Sequence, residues 1–333
     1  MIARFLALIL LTTISGAMAT DPPAEKSVSP ESRPRGIASH TAISDERIDE
    51  LLALHHTETD NVRLVLLPVV VTNKKGRVVE GLGLQDFALS EDRVPQQIEH
   101  LFTEEDVPIS LAFLLDLSGS MAQEEKLEEA KHAIQVFVHS LQSDDRFGLI
   151  GFADRQVTWI TEFTGDIDNF DRRLGVQEGY GQTALFDAIA ATPGLVDGSV
   201  EGRKAIVLIT DGNDNSSKLD KFSAVALARR VPVPIYTIGF SSISSGVLPR
   251  GYVPKSLQAI SRFSEETGGN LFVVHDPSDL KEAVLRIQSE LRTQYVVSYR
   301  PTRQLWDGSF RKIKLSAGKQ RIVHTRTGYY AQP

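Results

Sequence analysis

Five side chains carrying hard oxygen donors fall in three short segments of the sequence. Asp116, Ser118 and Ser120 stand in Phe113-Leu-Leu-Asp-Leu-Ser-Gly-Ser-Met121, Thr183 in Gly181-Gln-Thr183, and Asp211 in Ile209-Thr-Asp-Gly212. Two carboxylates and three hydroxyls suit Mg2+, Mn2+ or Ca2+ and not a softer metal. Mg2+ takes six ligands and often keeps waters, so this set leaves a position free for an oxygen from outside. An ion neutralised so little is electrophilic, and an exposed Asp or Glu of a partner protein would complete it. Each segment alone also has a plainer reading. Asp-x-Ser-x-Ser suits an N-cap cluster for the helix that follows, Thr183 an N-cap, and Asp211-Gly212 a turn.

Other chemistries find less support. There is no cysteine, which excludes thiol catalysis, thiolate metal sites and a lipid-modified cysteine. No Gly-x-Ser-x-Gly, His-Glu-x-x-His or phosphate-binding Gly-rich loop with Lys occurs. Ser118 has no His placed beside it in sequence, and no general base stands out, so the expectation is a binder and not an enzyme. Asp211-Gly-Asn213-Asp-Asn215 mimics the start of an EF-hand loop, but Ser216 stands where Gly is needed and Phe222 where Glu is needed. Asn213 and Asn215 read instead as the rim of the site, with Tyr180 a second rim candidate and Phe186 a core residue. His55-His56 lack a third ligand at helical spacing.

The elements around these residues determine whether they meet. From Pro108 onward, apolar strand runs alternate with helical patterns: strands at 109–115, 147–152, 203–210, 234–240 and 271–274, and helices at 122–141, 183–196, 218–230, 255–267 and 279–292. Val157–Ile160 forms a hairpin with the second of these strands, and Pro193 is expected to break the second helix. This alternation predicts an α/β fold with a doubly wound, mainly parallel sheet. Ligands in such folds bind outside the carboxyl ends of the strands, where Asp116 and Asp211 fall. Ser241–Tyr252, rich in Ser, Gly and Pro, is read as a loop at that edge.

The flanks read differently. Residues 62–106 and 294–333 hold short strand runs with turn signals, and neither has enough strands for a core of its own. They are expected to join in one small β-sandwich with the α/β domain at 107–293 inserted between them.

Residues 1–19 read as a cleaved secretory signal: Arg4, the apolar run Phe5–Ile14, and the small-x-small site Ala17-Met-Ala19. An uncleaved N-terminal anchor is the alternative. Residues 20–61 read as a Pro-rich linker, then a short helix from Ser44 to His55. No second long apolar run exists, so the mature chain is expected to lack a transmembrane segment and to be exported, whether periplasmic, on the cell surface or secreted. A net charge of −7 and a pI near 5.7 argue against nucleic acid as partner. Residues 281–333 nevertheless carry eleven Lys/Arg against three Asp/Glu, as a solvated face or a candidate envelope contact.

The five donors resemble those of the von Willebrand factor type A (VWFA) domain and its metal-ion-dependent adhesion site (MIDAS). Asp116, Ser118 and Ser120 match its Asp-x-Ser-x-Ser motif, Thr183 its threonine and Asp211 its second aspartate. The resemblance covers roughly 107–293 and implies a Rossmann-like domain that mediates cell adhesion and protein–protein interaction. It further implies that both serines ligate the metal directly, that the threonine does so in the high-affinity state, and that the aspartates act largely through water. A wider likeness, carried by Gly81-Leu-Gly-Leu-Gln-Asp-Phe87, Gln294-Tyr-Val-Val-Ser-Tyr299 and Thr327-Gly-Tyr-Tyr330, is to VWFA-related proteins exported by Acidobacteria. Since the family switches affinity by shifting its last helix, and residues 279–292 run straight into the β flank, sandwich and metal site are expected to be mechanically coupled. The rival expectation is a structural or envelope-assembly protein whose metal only stabilises the fold.

Overall fold

A computed structural model describes Ala42–Ile43 and residues 64–103, 107–123, 125–199, 202–240, 252–275 and 277–332. The expected signal, the linker except Ala42–Ile43, which pair with β8 as a strand, the 44–55 helix with its histidine pair and nearly all of the 241–252 loop lie outside the described residues.

Along the chain, β1 (Ala42–Ile43) is followed by four strands of the first flank: β2 (Val65–Asn73), β3 (Ala88–Glu91), β4 (Val94–Gln96) and β5 (Ile98–Thr103). Next come β6 (Ile109–Asp116), α1 (Lys126–Val138), β7 (Arg146–Ala153), β8 (Gln156–Thr164), α2 (Ile167–Gly175) and α3 (Leu185–Asp197). The α/β part continues through β9 (Arg203–Thr210), α4 (Lys221–Ala228), β10 (Ile235–Phe240), α5 (Lys255–Thr267), β11 (Leu271–Val274) and α6 (Pro277–Arg292). The second flank supplies β12 (Tyr295–Tyr299), β13 (Phe310–Ser316), β14 (Arg321–His324) and β15 (Gly328–Tyr330).

The central sheet has the order β1-β8-β7-β6-β9-β10-β11. Strands β7, β6, β9, β10 and β11 run parallel, while β8 returns antiparallel on β7. Strand β6 is buried along its whole length, so its side chains serve two cores alternately. Ile109, Leu111, Phe113 and Leu115 face α1, α2 and α6, whereas Ala112 and Leu114 face α3, α4 and α5. A strand covered on both faces must read as a continuous apolar run, which is why it was visible in the sequence.

The two flanks interleave. One four-stranded sheet has the order β14-β2-β12-β5 and the other β15-β13-β3-β4, so each mixes strands from both ends of the chain. Leu67, Val69, Phe87 and Leu89 from one flank and Tyr295, Val297, Ile313 and Tyr329 from the other fill one core. Arg300, Arg303, Arg311 and Arg321 pair with Glu99, Asp92, Glu91 and Asp86 of the first flank. Much of the basic excess near the C-terminus is therefore internal charge matching. Lys312, Lys314 and Lys319 remain exposed.

Several local expectations change. Pro193 lies inside α3 and does not end it. The helix is held on both sides of the proline by burial of Leu185, Ala188, Ile189 and Val196, which outweighs one lost backbone bond. Residues 77–79, read from the sequence as a strand run of the first flank, contribute only an isolated bridge, Thr72 to Val78, and Leu84–Asp86 is a single 3-10 turn before β3. Sequence reading passed over α2, capped by Asp166 accepting from the Asn169 amide at 3.0 Å, because its apolar face rests on Phe170 and Leu174 within a polar stretch. Strand β15, too, was passed over in the sequence.

Candidate metal site at the carboxyl edge of the sheet

Strands β6 and β9 are parallel neighbours, so their carboxyl ends, and with them Asp116 and Asp211, emerge side by side. Asp116 is sealed from solvent. Its Oδ2 accepts a 2.6 Å hydrogen bond from the Thr210 hydroxyl and its Oδ1 a 2.9 Å bond from the Ser118 amide. The second of these closes the Asp-x-Ser turn and throws Ser118 and Ser120 together, their hydroxyl oxygens 3.2 Å apart. Ser118 is buried and Ser120 half-buried.

Thr183 is brought in from the side by two sets of backbone bonds. The Tyr180 amide donates to Leu117 O at 2.7 Å and the Gly119 amide to Gly181 O at 3.1 Å, tying the 180–183 segment to the serine turn. On its other side, Thr183 O accepts from the Asn215 and Ser216 amides at 3.0 and 3.1 Å, and the Thr183 amide donates to Asn215 Oδ1 at 2.8 Å. The three segments are thus stitched into one cluster by the main chain.

The two capping readings do not hold in the fold. Helix α1 starts at Lys126, not at residue 122, and has no side-chain cap, so neither serine caps it. Its N-terminal flank, Glu125, is left-handed at φ 59°. Thr183 does not cap α3. Asp214 Oδ1 accepts from the Leu185 amide at 2.9 Å, and Ser217 Oγ accepts from the amides of Phe186 and Asp187 at 3.0 and 3.2 Å. Asp211 is more than a turn residue. Its Oδ1 accepts weakly from the Asn213 amide at 3.3 Å, while its buried Oδ2 has no hydrogen-bond partner. Gly212 allows the chain to pass at φ +82°, where a Cβ would lie 2.8 Å from Ser256 O of α5.

Electrostatics add to this picture. Burial, with a smaller contribution from neighbouring Asp211, pushes the Asp116 carboxyl up to about 6, against the pull of its hydrogen bonds. The nearest cation to Asp211 Oδ2 is Lys126 Nζ, at 3.6 Å and itself largely buried. Among the described residues no group of three His, Cys, Asp or Glu is placed to hold a metal. This cluster instead has two carboxylates and supplements them with hydroxyls. An orphaned buried carboxylate oxygen, a second carboxylate under strain to ionise and two adjoining hydroxyls fit a hard divalent cation.

Asn213 and Tyr180 are exposed beside this cluster, and Phe186 stacks on Phe263 with ring centroids 5.7 Å apart. Sequence reading missed the residues that hold the donors in place: Thr210, Asp214, Ser217 and Lys126. Asp154 belongs with them, since its Oδ1 accepts from the Gln182 amide at 2.7 Å. Only Asp214 and Ser217 carried a signal, as capping types in a loop; their target lies some thirty positions away.

This α/β sheet, helix-covered on both faces with a polar cluster at its carboxyl edge, defines a Rossmann-like α/β domain. Residues 110–286, more than half of the chain, match the von Willebrand factor type A domain, and the chain belongs to that family. Domains of this family commonly mediate protein–protein interaction and are generally non-enzymatic. An uncharacterized protein of Borreliella burgdorferi is 28% identical over 60% of this chain, and the uncharacterized protein YfbK of Escherichia coli is 22% identical over 66%. The chain spans 62% and 38% of those relatives' lengths. The likeness to Acidobacterial exported proteins is not carried by these relatives. Among solved structures, a von Willebrand factor type A protein from Catenulispora acidiphila is similar at a TM-score of 0.48 and 12% identity, covering 80% of this chain and 74% of that one. Proximal thread matrix protein 1 from the mussel byssus, with a zinc-occupied MIDAS motif, is similar at 0.47 and 19%, covering 60% and 50%. None of the described helices is long and apolar enough to cross a membrane.

Proposed function

We propose that this is an exported, metal-dependent protein-binding module. The ion, Mg2+ or else Mn2+ or Ca2+, would be held by Ser118, Ser120 and Thr183, with Asp116 and Asp211 supplying charge and Asn213 and Tyr180 forming the rim. When bound it supplies an electrophilic position for an Asp or Glu of a partner protein. The observation that carries this reading is the buried Oδ2 of Asp211, left without a hydrogen bond next to a second buried carboxylate. Buried carboxylate oxygens are normally hydrogen-bonded, so one left without a bond beside a second carboxylate and two hydroxyls supports a cation there. The domain would occupy 107–293, behind a signal at 1–19 and a linker at 20–61, with 62–106 and 294–333 as its sandwich. Any envelope contact would fall to Lys312, Lys314 and Lys319.

Titration calorimetry with Mn2+ tests the site. Wild type should bind one ion, and Asp116→Ala should give no heat above dilution. Equal, negligible heat from both would defeat the proposal. Partner capture from the native envelope, with and without EDTA, separates adhesion from a merely structural metal: adhesion is lost in chelator, whereas a structural ion leaves capture intact and lowers only the melting temperature.

The route for coupling to the sandwich is short. At the end of α6, Leu291 O accepts from Arg203 Nη1 at 2.5 Å, and Arg292 pairs with Asp145. Only Thr293 and Gln294 separate the helix from β12 at the centre of its sheet.

A further inference from the structure

The feature of this site that the five-donor motif does not explain is Lys126. It opens α1, its side chain is about nine-tenths buried, and its Nζ lies 3.6 Å from Asp211 Oδ2. That is the very oxygen that has no hydrogen bond. The cluster therefore already contains one cation, tethered to the chain, on the carboxylate that a metal would need. A buried ammonium and a divalent ion sharing one carboxylate repel each other strongly, because little water screens them.

We infer that Lys126 is a built-in counter-ion that competes with the metal for Asp211 and must withdraw when the ion is loaded. This rests on the metal-site reading above. In the metal-free protein Lys126 offsets the charge of Asp211, so the two buried carboxylates do not face each other uncompensated. In the loaded protein the ion takes over that role and the ammonium is displaced. The chain just before Lys126 departs from helix, with Glu125 left-handed, so the first turn of α1 is joined to the serine loop by a bent link and not by continuous helix. Loading and the position of that turn are then linked, and Lys126 lowers metal affinity while keeping the empty site folded.

Competition of this kind is reciprocal and is measurable on the full-length chain. Titration calorimetry with Mn2+ should show Lys126→Met binding on the order of tenfold tighter than wild type, within the usual range of such couplings. In EDTA the same variant should melt below wild type, and saturating Mn2+ should restore it. Lys126→Gln, which keeps a polar but uncharged side chain, should shift affinity the same way and covers the case in which the methionine variant folds poorly. Wild-type binding with equal or weaker binding by both variants would overturn the role of Lys126 and leave the metal site standing. Absence of Mn2+ binding in wild type and variants alike would overturn both.

Discussion

The molecule buries carboxylates in two regions and treats them in opposite ways. In the sandwich, Glu91 is 3% exposed and nearly every acceptor position is filled. Its Oε2 accepts from Tyr299 and Tyr329 at 2.7 and 2.8 Å, and its Oε1 lies 3.3 Å from Arg311, which is fully buried. Arg311 also donates to Arg303 O at 2.7 Å and lies against the ring of Trp306. Burial and the bond to Glu91 drive the Tyr299 phenol far above its usual range, and burial pushes Tyr329 up to about 12, so both remain donors at any working pH. At the carboxyl edge of the central sheet, Asp116 and Asp211 are just as buried; Asp116 accepts on both oxygens, but Asp211 Oδ2 is left without a hydrogen bond. A closed polar network fixes two sheets against each other; an open one keeps unspent acceptors for something that arrives later.

Breaking the closed network should have the largest effect. Arg311→Ala strands the Glu91 carboxylate in the core, and loss of one partner of a buried pair costs about 3–5 kcal/mol. Thermal or urea unfolding should show it, and a loss below about 1 kcal/mol would mean that the network is not the keystone of the sandwich. The open site should respond the other way. In EDTA near pH 7, Asp116→Asn should be more stable than wild type by about 1–2 kcal/mol, since it no longer ionises a carboxyl whose value is raised by burial. It should also lose any metal-induced rise in melting temperature. An equal drop for Asp116→Asn and Arg311→Ala would erase the distinction between the two regions.

Glu290 sharpens the comparison with a smaller, pH-limited effect. It lies on α6, fully buried; burial pushes it up to about 7, only partly offset by Arg286 and by a hydrogen bond with Asn270. A carboxyl whose folded value exceeds its unfolded one binds more protons when folded, so stability falls as pH rises between the two values. Here the window runs from about 4.5 to 7, and the Glu290 share of the fall is up to about 3 kcal/mol. Glu290→Gln should flatten that slope in metal-saturated protein, where the Asp116 share is suppressed. An unchanged slope would show that Glu290 is paired in solution.

How much of this was legible depended on range. The strands β6 and β9 announced themselves because burial on both faces demands unbroken apolar runs, and Asp116 and Asp211 could be placed at their ends. Helix starts were less legible: α1 begins four residues later than its pattern suggests, and Pro193 was overruled by the packing of α3. The partners of the site residues were mostly hidden, since Thr210 meets Asp116 from 94 positions away and Asp214 caps a helix 29 positions back.

The sequence by itself determined the chemical character of the site, through the types Asp, Ser, Ser, Thr and Asp, and the α/β class, through hydrophobic periodicity. Both are local properties: a donor set and an apolar run can be read without knowing what lies across the sheet. Only the tertiary structure decided how the strands of the two flanks interleave, that the basic C-terminal arginines are matched internally, and that Lys126 stands on Asp211. Those outcomes depend on which distant segments are brought to the same place, and no single stretch of sequence encodes that juxtaposition.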